Sequence, residues 1–127
     1  AIYISRIGKA PAPMAADYDC HVERAEIFVI EVDGAVAGFI VTYAKEKAQF
    51  IENVAIKPSL HGQGFGKLLL EFAETEARRK GFNRLFLYTN VQMTENLDFY
   101  PHLSYVETHR IREEGFERVY FEKRLQE

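Results

Sequence analysis

Three glycines, Gly62, Gly64 and Gly66, alternate with other residues between an apolar segment that ends at Ile56 and the first turn of an amphipathic one. Spaced this way, glycines let successive backbone N–H groups converge on one anion beside a helix N-terminus, where the helix dipole also favours negative charge. The chemistry on offer is capture of a phosphate or pyrophosphate, with a ligand-free glycine-rich turn as the structural alternative. Neither common phosphate motif fits. The dinucleotide fingerprint begun at Gly62 needs glycine where Lys67 stands. The P-loop needs Ser or Thr where Leu68 stands, and only three residues separate Gly62 from Gly66.

The other residue types that could carry chemistry are sparse. The one cysteine, Cys20, has no partner for an intrachain disulfide and no base near it in sequence, so it reads as a small buried residue. That usage fits a reducing compartment, and a cytoplasmic location is the expectation. No Cys/His group has metal-ligand spacing, so no metal is expected, and His21, His102 and His109 read as surface residues. Sixteen Lys and Arg against nineteen Asp and Glu leave a net charge of -3, with no basic excess to neutralise a run of phosphates. Nucleic acid is not an expected partner. No apolar run approaches the ~20 residues that span a bilayer, and no charged n-region precedes an apolar core, so neither a membrane nor export is implied. Opening on Ala1 inside an apolar-patterned segment, the chain reads as trimmed at its N-terminus.

The elements that must position the glycine run follow from periodicity. A length of 127 residues fits one domain, 1–127. Ile2 to Gly8 reads as helical; Pro11 and Pro13 break it before a second helix from about Met14 to Glu23. Glu26 to Val32 and Val36 to Ala44 are β-branched and aromatic segments around the turn Asp33-Gly34, and Ala48 to Ile56 adds a third strand. From Gly64 the period changes: Phe65, Leu68, Leu69, Phe72 and Ala73 form one apolar face of a helix running to about Lys80. Arg84 to Asn90 is then a buried strand, parallel to the one before the helix. A short helix over Glu95 to Leu103 and a hairpin about Glu114-Gly115 complete an α+β fold with a mixed, mostly antiparallel sheet.

The stretch V-A-I-K-P-S-L-H-G-Q-G-F-G-K-L-L resembles the acetyl-CoA signature of the GCN5-related N-acetyltransferases (GNAT), and N-L-D-F-Y-P-H-L-S-Y resembles that family's downstream Asn and Tyr segment. The resemblance implies an acetyl-CoA-dependent N-acetyltransferase, with Val54, Ala55 and Ile56 pairing with the acetyl carbonyl and pantetheine arm. It implies that His61, Gly62 and the backbone from Gln63 through Gly64, Phe65 and Gly66 to Lys67 hold the pyrophosphate. Asn90 would border the cofactor on the next strand, Asn96 would orient the pantetheine arm, and Tyr100 would protonate the departing sulfur. Departures from the family pattern are His61 for the usual Gln or Arg, Ser104-Tyr105 for Gly-Phe, and Pro101 directly after Tyr100. Proline there removes a helix N–H and biases Tyr100 away from the helical region, so the placement of its hydroxyl depends on the helix tolerating it. The family's first strand has no counterpart in this reading.

Acetyl transfer to an amine needs an uncharged amine and a proton for the leaving thiolate. Glu52, in an otherwise apolar strand four residues before Ile56, is the candidate general base, against the alternative that strand alternation turns it to solvent. The acceptor is expected to be a primary amine of a small molecule or peptide, transfer to be direct, and the aromatics Tyr105, Phe116, Tyr120 and Phe121 of the terminal hairpin to favour a homodimer. A catalytically weak acyl-CoA-binding module is the competing class.

Overall fold

The computed structural model describes residues 2–10 and 25–125. Its elements are β1 (Ile2–Ala10), β2 (Ala25–Val32), β3 (Ala35–Lys45), β4 (Ala48–Ile56), a 3-10 turn at Pro58–Leu60, α1 (Phe65–Arg79), β5 (Arg84–Asn90), α2 (Thr94–His102), β6 (Val106–Glu113) and β7 (Phe116–Arg124). The strands form one sheet in the order β1-β2-β3-β4-β5-β7-β6, antiparallel throughout except between β4 and β5.

The expected helix over Ile2 to Gly8 is instead β1, paired with β2 from Ile2↔Val32 to Ala10↔Ala25. Tertiary pairing decides a segment too short to be helical alone, and the β-branched Ile2, Ile4 and Ile7 suit an edge strand. The first strand is therefore present, and the outer edge of β2 is covered. The helix expected over Met14 to Glu23 lies outside the described residues, as does Cys20. The three hairpin turns, Asp33-Gly34, Glu46-Lys47 and Glu114-Gly115, have positive φ at both central residues, the twist that lets a two-residue loop join antiparallel strands.

The helix α1 lies across one face of β3, β4 and β5. It buries Phe65, Leu69, Leu70, Ala73 and Ala77 against Ile40, Ile51, Leu85, Leu87 and Phe121. Full burial of a leucine contributes about 1.5–3 kcal/mol, so Leu69 and Leu70 alone hold this helix firmly. The opposite face carries a smaller cluster of Ala25, Tyr43, Ala48, Phe50 and Phe86.

What this scaffold positions is an opening. Strands β4 and β5 pair only at Gln49↔Leu85, Phe50↔Phe86 and Ile51↔Leu87, although β4 continues to Ile56 and β5 to Asn90. Beyond Ile51 each strand stays with its outer neighbour: Gly38↔Ile56 joins β4 to β3, and Asn90↔Arg118 joins β5 to β7. Two features pull β4 outward. The register slips between Val41↔Asn53 and Thr42↔Ile51, so Glu52 is an extra, bulged residue that bends the strand. Gly38 then lets β3 close on the end of β4, since a Cβ there would run into the carbonyl oxygen of Ala55. The Lys57 amide, donating 2.8 Å to the Ala37 carbonyl, ties the strand end down.

Candidate active site

The opening has a cavity on each side. One, about 370 Å³, lies between the end of β4, the loop from His61 to Lys67 and α2. The other, about 310 Å³, lies between Glu52 and Asn53 of β4, Tyr88 to Asn90 of β5, and Arg118 of β7. Val54, Asn96 and Tyr100 line both. These three residues form the wall between the two spaces.

On the first side, Gly62 and Gly64 take φ of +81° and +85°, a left-handed conformation that glycine adopts without cost. No atom lies within 4 Å of where a Cβ would sit at either, so the space beside this backbone is open. Gly64 is the N-cap of α1, and neither a capping side chain nor an acidic residue in the first turn satisfies the helix's leading N–H groups. Backbone donors, a dipole and free volume meet here, which is what an anion requires. Phe65 is an anchor, 8% exposed, that fixes the helix start in the core. Gly66 sits under α2, its Cβ position 3.4 Å from Phe99 Cζ.

The His61 ring turns back to the strand: Nε2 donates to the Ile56 carbonyl at 2.8 Å. His61 thereby braces the loop and still lines the cavity, while Gln63 is exposed and Lys67 lies on the rim. Val54 and Ile56 line this side; Ala55, half-buried in the same strand end, lines neither cavity.

The helix α2 runs through Pro101 to His102, and Tyr100 remains helical. Proline in the last turn forfeits one backbone hydrogen bond, and its neighbour His102 Nδ1 donates to the Asp98 carbonyl at 2.7 Å. Tyr100 is 5% exposed, packed against Phe99, Tyr105 and Phe121 with ring centroids 5.3, 5.8 and 5.7 Å away. Its hydroxyl has no hydrogen-bond partner among the described residues. Burial pushes its pKa up to about 12. Asn96 is oriented from below, donating through Nδ2 to Thr89 Oγ1 at 3.1 Å.

On the second side, Glu52 is exposed, yet the surrounding walls strip enough water from its carboxyl to raise its pKa above the ordinary carboxylate value. Burial first, and the nearby Glu52 charge second, push Tyr43 up to about 12. Asn90 lines this cavity and not the first, and its Oδ1 accepts from the Gln92 amide at 2.9 Å, shaping the β5–α2 turn. Sequence reasoning missed Gly38, Asn53, Tyr88 and Arg118. Arg118 lies over the Tyr88 ring, 4.8 Å from its centroid, and pairs with Glu113 at 3.3 Å. The signal for Tyr88 was a phenol inside an apolar strand; for Arg118 and Gly38 only the pairing reveals the role. Among the described residues no cluster of His, Cys, Asp or Glu is arranged to hold a metal ion, and no helix is long and apolar enough to cross a membrane.

Two cavities with a shared wall suit a group passed between two molecules, and comparison with known proteins places the chain accordingly. The acetyltransferase (GNAT) family profile matches residues 5–105, and the chain belongs to that family. Over 55 residues, 43% of this chain, it is 46% identical to N-alpha-acetyltransferase 80 of mouse, a stretch that spans 16% of that protein. The ribosomal-protein-S18-alanine N-acetyltransferase of Escherichia coli superposes with a TM-score of 0.78 at 19% identity, covering 100% of this chain and 96% of that one. A Bacillus subtilis acetyltransferase in complex with CoA gives 0.77 at 20% identity, covering 99% and 100%. An Elizabethkingia anophelis GNAT family acetyltransferase with acetyl-CoA bound gives 0.75 at 18% identity, covering 98% of each. At such identities the likeness is one of fold.

Proposed function

We propose that this chain, folding as one domain over 1–127, transfers an acetyl group directly from acetyl-CoA to a primary amine of a small molecule or peptide. The observation that carries the reading is the opening between β4 and β5, with an uncapped helix start on one side, a carboxylate on the other, and Tyr100 reaching both. CoA bound in two structural neighbours supports acetyl-CoA as the co-substrate. The open backbone at Gly62 and Gly64 fits a pyrophosphate, and the unpaired edge of β4 at Val54 to Ile56 fits an amide-bearing arm. A cytoplasmic location is part of the reading, on the strength of a single cysteine.

Each step falls to a group of the chain. The backbone from Gly62 to Lys67 holds the phosphates, and Asn96 orients the pantetheine arm beside Tyr100. Glu52, deprotonated, takes the proton of the attacking amine directly or through a water, leaving an uncharged nucleophile. As the carbon–sulfur bond breaks, the Tyr100 hydroxyl gives its proton to the sulfur. A phenol raised to about 12 is a weak acid in water, but the enclosure that raises it also raises the basicity of a thiolate developing beside it. The continuity of α2 through Pro101 favours this reading over a binding module, because it keeps Tyr100 in the shared wall.

Calorimetric titration with acetyl-CoA, CoA and ATP tests the assignment of the first cavity. Saturable binding of both CoA species, with ATP much weaker, is the expected result. Equal binding of ATP would indicate a nucleotide site of another kind.

A further inference from the structure

The extra residue of the β4 bulge lies between two fixed registers. On the hairpin side the pairs run from Lys45↔Ala48 to Thr42↔Ile51; on the far side they run from Val41↔Asn53 to Gly38↔Ile56. A regular ladder does not specify which residue between them is left over, and a slip of one turns the intervening side chains to the opposite face. With Glu52 left over, Ile51 is 2% exposed beneath α1 and Glu52 faces the second cavity. With Ile51 left over, Glu52 would sit opposite Thr42 and drive its carboxylate into the core.

Two polar residues occupy the apolar face at this point. Thr42 and Gln49 are both fully buried, two residues from Ile40 and Ile51 respectively and so on the α1 side of the sheet. Thr42 Oγ1 donates to the Phe50 carbonyl at 2.7 Å, and Gln49 Nε2 donates to Thr42 Oγ1 at 2.8 Å. Both bonds tie Thr42 to Gln49 and Phe50 on the hairpin side of the bulge, where it stands opposite Ile51. Gln49 Oε1 is buried without a partner among the described residues, a cost that an apolar side chain would not carry.

We infer that Thr42 and Gln49 are positioning residues, which pin the bulge to Glu52 and thereby hold its carboxylate in the opening between β4 and β5. The inference rests on the general-base reading of Glu52. Thr42→Val keeps the shape and removes the hydroxyl, Gln49→Leu removes the amide, and Thr42→Ser keeps the hydroxyl.

The test compares these variants with Glu52→Gln by cross-strand nuclear Overhauser effects, kcat, the KM for acetyl-CoA and the pH profile. In Thr42→Val and Gln49→Leu the contact of residue 42 with Ile51 should weaken or double, one with Glu52 appearing beside it. Their kcat should fall ~10-fold with the acetyl-CoA KM within ~3-fold, and the acid limb should move to higher pH as the Glu52 carboxyl turns toward the core. Thr42→Ser should restore all three readouts. If Thr42→Val does not fold, Gln49→Leu carries the same measurements. A single unchanged register with the parent kcat and pH limb in these variants, while Glu52→Gln has lost turnover, overturns the pin and leaves the general base standing. Full turnover in Glu52→Gln would instead remove the general base, and the partner of residue 42, Ile51 or Glu52, would then alone decide whether the pair fixes the bulge.

Discussion

Tyr100 and Glu52 line the same opening, and in the proposed reaction they have opposite requirements, since one would keep its proton and the other lose it. Burial raises both, Tyr100 to about 12 and Glu52 above its ordinary 4.5. Turnover should therefore rise with pH through an acid limb displaced upward from the normal carboxylate range, and show no fall from Tyr100 until about pH 12. A profile of kcat against pH with the limb at or below 4.5 would remove Glu52 from the role. Tyr100→Phe keeps the ring among Phe99, Tyr105 and Phe121, so binding survives while the proton is lost. We expect kcat to drop at least ~100-fold with acetyl-CoA affinity within ~3-fold. Glu52→Gln separates function from stability. A carboxylate whose folded pKa is raised gives stability that is fully present below its unfolded pKa and lost as pH rises through the folded value. At neutral pH the variant should lose turnover without a lower Tm, as thermal unfolding would show. The short helix that carries Tyr100 was legible; that Pro101 leaves Tyr100 helical was not, because the tolerance comes from its position in the last turn of α2.

At the scale of elements, the opening needs β4 to bend away from β5 while α1 begins at its edge. Gly64→Val would force a β-branched residue to φ of +85° and fill the open space at the helix start. Its acetyl-CoA dissociation constant should rise at least ~10-fold, about 1.4 kcal/mol, by calorimetry. Gly38→Ala is the less obvious counterpart, far from the loop in sequence. Its Cβ collides with the Ala55 carbonyl, so the end of β4 must shift, costing about 1–3 kcal/mol and weakening binding as well. Gly66→Ala, with ordinary contact to Phe99, should do much less. The glycine loop, α1 and the strands from β2 to β7 were readable because period and turn chemistry are local. The strand β1 was not, because its state is set by pairing with β2. Gly38 and the bulge were invisible for the same reason: a register slip appears only when two strands are laid side by side.

For the whole molecule, three residue pairs between β4 and β5 join the two halves of the sheet, and α1 packs across the junction. Leu69→Ala should therefore cost about 2–5 kcal/mol, read as a lower denaturation midpoint, through a cavity at that junction. The hairpin aromatics behind the expected homodimer are placed unequally. Tyr105 and Phe121 are buried in the core and Tyr120 is half-buried, leaving Phe116 exposed, where it borders the second cavity. Composition could count these rings but not say which way the hairpin turned them. In the proposed reaction the two cavities hold donor and acceptor together, and acetyl passes straight between them. Release of CoA thiol, followed over time with acetyl-CoA and a panel of primary amines, tests it most directly. Thiol should be released in step with acetylated amine, with no burst in the absence of acceptor; CoA binding without release on any amine, or a burst of thiol with no amine present, would rule direct transfer out.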